Sequence, residues 1–284
     1  MWEIPVEKGD KTVALLEVNK QTCNQCGICA AICPRGIIYF RENGYPHLLP
    51  RIDALCIRCG HCVAVCPSGS LTHSEIPLEQ SPQIDRSLDI TYEQCTQLIR
   101  SRRSVREFKD KKVPAKEIER IIDVAHYAPT GHNNQKVQWF VINDPARVKE
   151  LSVIGTDWFR WSIKNNPASA PTLEWSLQRQ ESGYDAFLRN APTVVVALAE
   201  RNNPLAAIDC SIALAYFDLA ACSAGLGCCW AGYFMSASAA FTPMVTALAL
   251  PEGYAPYGSL MVGYPKYKYR RIPARKAARI TYRK

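Results

Sequence analysis

The sequence predicts an α+β protein in two parts. Residues 1–80 read as a small metal-binding domain, and residues 81–284 as a larger domain of helices around a sheet. Three observations predict this. First, the chain has 13 cysteines in 284 residues, and eight of them form two clusters of identical spacing. Second, Thr72–Asp89 is polar, carries Pro77 and Pro82, and shows no periodicity, which reads as a linker. Third, the texture beyond it changes to amphipathic helical stretches interleaved with short apolar runs.

The elements follow in order. Thr12–Val18 alternates as a strand does, and Ile37–Phe40 is a short apolar strand. Glu93–Arg103 reads as a helix. Pro114 opens another, with Ile118, Ile121, Ile122 and Ala125 on one face. Val137–Ile142 reads as a strand, Leu173–Leu188 as a helix, and Thr193–Leu198 as a buried strand. Ala206–Ala221 is helical, Cys228–Phe234 a strand, Ser236–Leu250 a helix, and Tyr257–Val262 a last strand before a basic tail.

With 48% hydrophobic residues the chain can build a core, which excludes a mostly disordered protein. The opening Met1–Lys8 lacks a basic start followed by an apolar run, so no signal peptide is expected. Clustered cysteines without an export signal read as metal ligands, not disulfides, and a cytoplasmic protein is expected. Leu219–Pro251 carries no charge and is long enough for a membrane span. Gly225, Gly227, Gly232 and Pro243 interrupt it, and Asp209 and Asp218 precede it. A buried helix, strand and helix are expected there, with no membrane span.

The first cluster is Cys23-x2-Cys26-x2-Cys29-x3-Cys33-Pro34. The second, 33 residues on, is Cys56-x2-Cys59-x2-Cys62-x3-Cys66-Pro67. Gly27, Ala31 and Gly36 recur as Gly60, Ala64 and Gly69. Three thiolates at i, i+3 and i+6 wrap one cluster, and the fourth, before proline, reaches the other. Cys23, Cys26, Cys29 and Cys66 are therefore expected to hold one [4Fe–4S] cluster, and Cys56, Cys59, Cys62 and Cys33 a second. Zinc sites usually pair two separated CxxC knuckles and need neither the third cysteine nor the trailing Cys-Pro. Gly27 and Gly60 let backbone approach the sulfides. His61, inside the second loop, reads as a neighbour of the cluster or a surface residue, since all ligand places are filled. Residues 10–75 resemble bacterial-type two-cluster ferredoxins. Cys210, Cys222, Cys228 and Cys229 lie in apolar segments and read as small buried hydrophobes; Cys95 has no metal spacing either.

The larger part has no GxGxxG and no Walker motif, so a Rossmann-bound NAD is not expected. It carries Arg102-Arg103-Ser104-Val105-Arg106 at a helix end, and Ala128-Pro129-Thr130-Gly131-His132-Asn133-Asn134-Gln135 between helix and strand. Gly225-Leu226-Gly227-Cys228-Cys229-Trp230-Ala231-Gly232 leads into a strand, and Gly263-Tyr264-Pro265 precedes Arg270, Arg271 and Arg275. The first and last groups suit a phosphate, the second a heteroaromatic edge, and the third the approach of backbone to a planar ligand.

In this order the four pieces resemble the nitroreductase family of FMN flavoproteins, over about residues 90–284. The resemblance implies a mostly antiparallel central sheet flanked by helices, and a homodimer with FMN at the subunit interface. It implies that Arg102, Arg103, Ser104 and Arg106 contact phosphate, ribityl and the flavin carbonyl edge. Pro129, Thr130, Gly131 and Asn133 would serve the partner's flavin, Ala231 and Gly232 would lie near N5, and Arg271 or Arg275 would hold the phosphate. Where the family usually has Pro-Trp after Asn-x-Gln, this chain has Lys136-Val137, with Trp139 two places on. That changes the shape expected of the substrate cavity.

A ferredoxin-like part fused to a flavin part reads as a wire. An external low-potential donor such as ferredoxin would feed the clusters, and FMN would reduce a small nitro-, quinone- or enone-like acceptor. No acid–base or nucleophile pair is required, and His132 is a minor candidate proton donor. The other readings are a non-enzymatic electron carrier or redox sensor that docks on a protein, and other flavin chemistry such as reductive dehalogenation. The formal net charge of +8 suits an anionic partner. Cluster-bound thiolates and a flavin phosphate would offset it, so no nucleic acid is expected.

Overall fold

A computed structural model describes residues 14–40, 44–49, 51–166, 168 and 170–283. The opening Met1–Lys8 and the first two residues of the expected strand Thr12–Val18 lie outside the described residues. The chain forms two compact units, Met1–Asp89 with His132–Asn134, and Ile90–Gly131 with Gln135–Lys284.

In the first unit β1 (Leu16–Val18) pairs antiparallel with β4 (Leu71–His73), and β2 (Ile38–Tyr39) with β3 (His47–Leu48). Between them lie two short helices, α1 (Ile28–Ile32) and α2 (His61–Ala64). Gly27 and Gly60 precede these helices in the left-handed region, at φ +72° and +71°. The apolar core is small, with Cys29, Ile37, Ile38 and Leu71 buried together. Domains with cores this small commonly depend on metal or disulfide staples. The expected linker thus begins with a strand, because Leu71 and Thr72 find partners in Val18 and Glu17.

In the second unit α3 (Tyr92–Ser101) opens with a capping box formed by Thr91 and Gln94. α4 (Ala115–Ala125) follows Pro114 and buries Ile118, Ile121 and Ala125. β5 (Gln138–Ile142), β6 (Thr193–Glu200), β7 (Gly227–Trp230) and β8 (Tyr254–Gly263) form an antiparallel sheet in the order β5-β6-β8-β7. β6 is buried on both faces. Val194, Val196 and Leu198 join one core, and Val195, Ala197 and Ala199 the other, as a period of two requires. The first core is completed by α5 (Pro145–Asn165), α6 (Ala170–Glu181), α8 (Gly232–Ala240) and α9 (Thr242–Leu248), the second by α4 and α7 (Ala206–Ser223). By length and composition α7 is apolar enough to cross a membrane. Here it is a core helix against α4, β6 and β8, with Cys210, Leu214, Phe217 and Ala221 fully buried.

Four further stretches differ from expectation. α5 was not foreseen, although Asp144 caps it by accepting from Ala146 N and Pro145 stands at its start. The helix expected to reach Leu188 ends at Glu181. Gly183 turns the chain at φ +91°, and the buried Asp185 carboxylate then accepts from the N–H groups of Phe187, Leu188 and Asn190. The strand expected to reach Phe234 stops at Trp230, and α8 starts at Gly232. The helix expected over Ser236–Leu250 breaks at Phe241, where Pro243 opens α9.

Candidate functional site

The first unit contains two cavities, each walled by four cysteines. Cys33, Cys56, Cys59 and Cys62 line one. Cys23, Cys26, Cys29 and Cys66 line the other. These are the crossed quartets of the spacing argument. Among the described residues no three metal-ligating side chains close on a single point. Each quartet lines a cavity.

The loops explain the arrangement. Gln25 and Gly27 are left-handed, and so are Arg58 and Gly60 in the second copy. Such turns aim successive N–H groups into a concavity that suits an anion. Arg58 N donates to Cys56 Sγ at 3.4 Å, and Ser70 N to Cys66 Sγ at 3.2 Å. The Ser68 hydroxyl lies 3.7 Å from Cys66 Sγ. Burial would raise the Cys66 thiol, yet the Ser70 N–H and the Ser68 hydroxyl together hold it below its ordinary value. Burial pushes Cys62 up to about 11 despite the Val63 N–H, with Cys59 and Cys56 adding to the rise. Burial also raises Cys29. Thiols crowded in this way need bound positive charge to ionise, which iron supplies.

Sequence reasoning missed His73. Its ring is buried at the end of β4 and lines the cavity of Cys56. Nε2 lies 3.6 Å from Cys56 Sγ, while Nδ1 accepts from Glu75 N at 3.0 Å. An Arg58–Glu75 ion pair ties the second cysteine loop to the same turn. Extending the repeat by 33 residues would have revealed the position, since Phe40 stands in its place at the other cavity. His61, read from sequence as a neighbour of the cluster, also lines the Cys56 cavity, with its residue exposed.

In the second unit the chain leaves α3 as an extended segment alongside β7. Val105 N donates to Cys228 O at 2.9 Å, and Lys109 N to Tyr264 O at 2.8 Å. Val105 turns inward onto Gly227, so closely that a Cβ there would lie 2.4 Å from Val105 Cγ2. The glycine-rich stretch is thus partly spent on the protein's own packing. Arg102 Nη1 donates to the buried Asp218 carboxylate at 3.4 Å, and Arg106 Nη1 to Ser104 O at 3.4 Å. Burial raises the Asp218 carboxyl, against the pull of Arg102 and of the Cys228 thiol. Asp218 was not singled out by sequence as a site residue; an acid inside an otherwise apolar helix was the available signal.

Arg102 and Arg103 share an open cleft of about 990 Å³ with Asp218, Tyr264, Tyr267 and Lys268. Arg271 and Arg275 are exposed in the C-terminal stretch and do not line it. Gly131 N donates to Asp209 Oδ1 at 3.0 Å, and Gln135 N to Thr130 Oγ1 at 3.0 Å, so α7 anchors one side of that loop. Pro129 is exposed. Asn133 belongs to the first unit, where its side-chain amide donates to the carbonyls of Ile57 and Arg58. Ala231 is buried and its N–H donates to Ser259 O. Gly232 is exposed, with open space where a side chain would stand. Burial raises Cys210 to about 12 and raises Cys222, Cys228 and Cys229, so these thiols stay protonated and structural.

Residues 22–71 match the 4Fe-4S dicluster domain, and residues 99–264 match the nitroreductase family. A protein of Archaeoglobus fulgidus named as an NADH dehydrogenase/NAD(P)H nitroreductase is 25% identical over 174 residues, 61% of this chain and 87% of its own length. An iodotyrosine deiodinase of Thermotoga neapolitana is 24% identical over 133 residues, 46% of this chain and 69% of that protein. The crystal structure of a Desulfitobacterium hafniense nitroreductase with bound FMN superposes with a TM-score of 0.55 at 24% identity. It covers 69% of this chain and 100% of that one, a likeness of fold. A family match running from Ile99 to Tyr264 takes in β5, β6, β7 and β8 and more than half of the chain, and on that ground this protein belongs to the nitroreductase family.

Proposed function

We propose that this chain binds two [4Fe–4S] clusters and one FMN, and carries electrons from a low-potential one-electron donor to a small organic acceptor. The observation that carries the reading is the pair of four-cysteine cavities on the same chain as a nitroreductase fold. When bound, the clusters supply single-electron transfer, and FMN gathers single electrons for a two-electron reduction. The chain's own groups suit these cofactors. Left-handed loops direct N–H groups toward the cluster sulfurs. Arg102, Arg103 and Lys268 offer cations to a phosphate in one cleft. Exposed Arg106 offers a cation to the electron-rich edge of a reduced flavin. Gly232 leaves room for a planar ring at the start of α8, where Ala231 makes no side-chain cap. The active form is a homodimer.

Anaerobically purified protein should contain about eight irons and one FMN per chain. In Cys59→Ala, chemically reduced FMN should still reduce acceptors from a panel of a nitroaromatic, a quinone, an enone and a halogenated phenol. Turnover driven by reduced ferredoxin should collapse. Zinc in place of iron would overturn the cluster reading. Full ferredoxin-driven turnover in a folded, FMN-loaded Cys59→Ala protein would overturn the wire. A flavin that reoxidises only against a protein partner would favour a carrier over an enzyme.

A further inference from the structure

The internal repeat relates the two cysteine cavities, and among the lining positions that differ between the copies one pairs a phenylalanine with a buried histidine. Position 40 of the first copy is phenylalanine and lines the cavity of Cys23, Cys26, Cys29 and Cys66. Its counterpart 33 residues on is His73, which lines the cavity of Cys33, Cys56, Cys59 and Cys62. A ring with no polar atom is thus replaced by one with two nitrogens, both with partners. Nδ1 accepts the Glu75 N–H at 3.0 Å, so in the neutral imidazole the hydrogen sits on Nε2. Nε2 is 3.6 Å from Cys56 Sγ, within range of an N–H···S bond. The ring is held in that tautomer and orientation by a buried strand end that pairs with Leu16.

We propose that His73 is a positioning residue that donates its Nε2–H to the Cys56 sulfur and makes that cluster easier to reduce than a phenylalanine at the same place would. The inference rests on the two-cluster reading above. One electron arrives from a low-potential one-electron donor, no bond breaks, and the Nε2 proton stays on the imidazole. The added negative charge spreads onto the ligating sulfurs, so a donor at Cys56 stabilises the reduced form more than the oxidised one. The other quartet draws its donors from the Ser70 N–H and the Ser68 hydroxyl at Cys66. The imidazole therefore acts on one cluster only.

The test is an anaerobic redox titration of the full-length holoprotein, followed by EPR and by iron content. In His73→Phe one of the two cluster steps should move to lower potential and the other should stay. A tenfold change in the reduced-to-oxidised ratio at fixed potential is the expected scale, about 59 mV for one electron. His73→Gln, which keeps an N–H donor, should recover part of the shift. Unmoved potentials in His73→Phe with full iron would overturn the inference. So would equal shifts at both clusters, the mark of a structural role.

If His73→Phe fails to hold iron, pulsed EPR on 15N-histidine-labelled His61→Gln protein decides. That variant leaves His73 as the one histidine lining the cavity. A nitrogen coupling to the reduced cluster supports the bond, and its absence overturns it. A native protein without two reducible [4Fe–4S] signals would instead sink the two-cluster reading itself.

Discussion

Gly227→Ala tests whether the packing of β7 holds the arginine segment in place. A Cβ at residue 227 would stand 2.4 Å from Val105 Cγ2, 2.8 Å from Val105 Cβ and 3.0 Å from Pro265 Cγ. Carbon atoms prefer about 3.5–4.0 Å, so the first overlap exceeds an ångström. Val105 cannot retreat alone, because its N–H is bonded to Cys228 O at 2.9 Å and its side chain is buried. Overpacking of this kind costs about 1–3 kcal/mol, and the rigid backbone on both sides argues for the upper half. Val105→Ala alone removes two methyl groups, worth about 1.6 kcal/mol at 0.8 per carbon. It also opens the space the new Cβ needs. Urea unfolding of the two single variants and the double variant measures the coupling. The double should be more stable than the sum of the single losses predicts, by about 1 kcal/mol or more. Retention of FMN through gel filtration should fall in Gly227→Ala and recover in the double, since the displaced segment carries Arg102, Arg103 and Arg106. Additive losses within about 0.5 kcal/mol would refute the clash as the cause.

Arg102→Ala should destabilise the protein by about 1–3 kcal/mol at neutral pH, because it strips the buried Asp218 of its cation. The deficit depends on pH in a defined direction. Asp218 is already raised by burial, and loss of Arg102 raises it further. A carboxyl raised in the native state favours folding below its unfolded pKa, and that advantage is lost as pH rises through the native value. The deficit should therefore be small near pH 4 and grow toward pH 7; unfolding curves showing an equal deficit at both would count against it. Trp161, Trp175 and Tyr216 lie exposed on α5, α6 and α7. Sedimentation equilibrium should give the mass of a dimer, whose interface is expected to bury well over about 2,000 Å², and a stable FMN-loaded monomer would contradict the assembly.

The sheet and the cysteine repeat were legible because each follows a strict period. β6 alternates between two cores from Val194 to Ala199, and a 33-residue shift maps one cysteine cluster onto the other. α5 was not legible by periodicity. Its apolar residues are spread round a long helix, and only Asp144-Pro145 announced it. Gly232 looked like strand from the apolar run before it, but the chain turns into a helix as soon as β7 reaches Trp230. His73 and Asp218 escaped for a common reason. Each acts through a partner distant in sequence, Cys56 or Arg102, and no local pattern reports such a pairing.

The last strand of the sheet also constrains how this protein can be made. β8 lies between β6 and β7, so β7 cannot join the sheet until Tyr254–Gly263 has been synthesised. Until then β6 is paired with β5 alone, the side of Val194, Val195 and Val196 that β8 will take stays open, and α7 lacks one wall of its core. An edge of that composition is prone to pair with other chains. The first unit needs the chain only as far as Asn134 and draws no strand from this sheet, while the second cannot close before β8 is made. A ribosome stalled before β8 would therefore present a finished cysteine-rich head and a sticky, unclosed body.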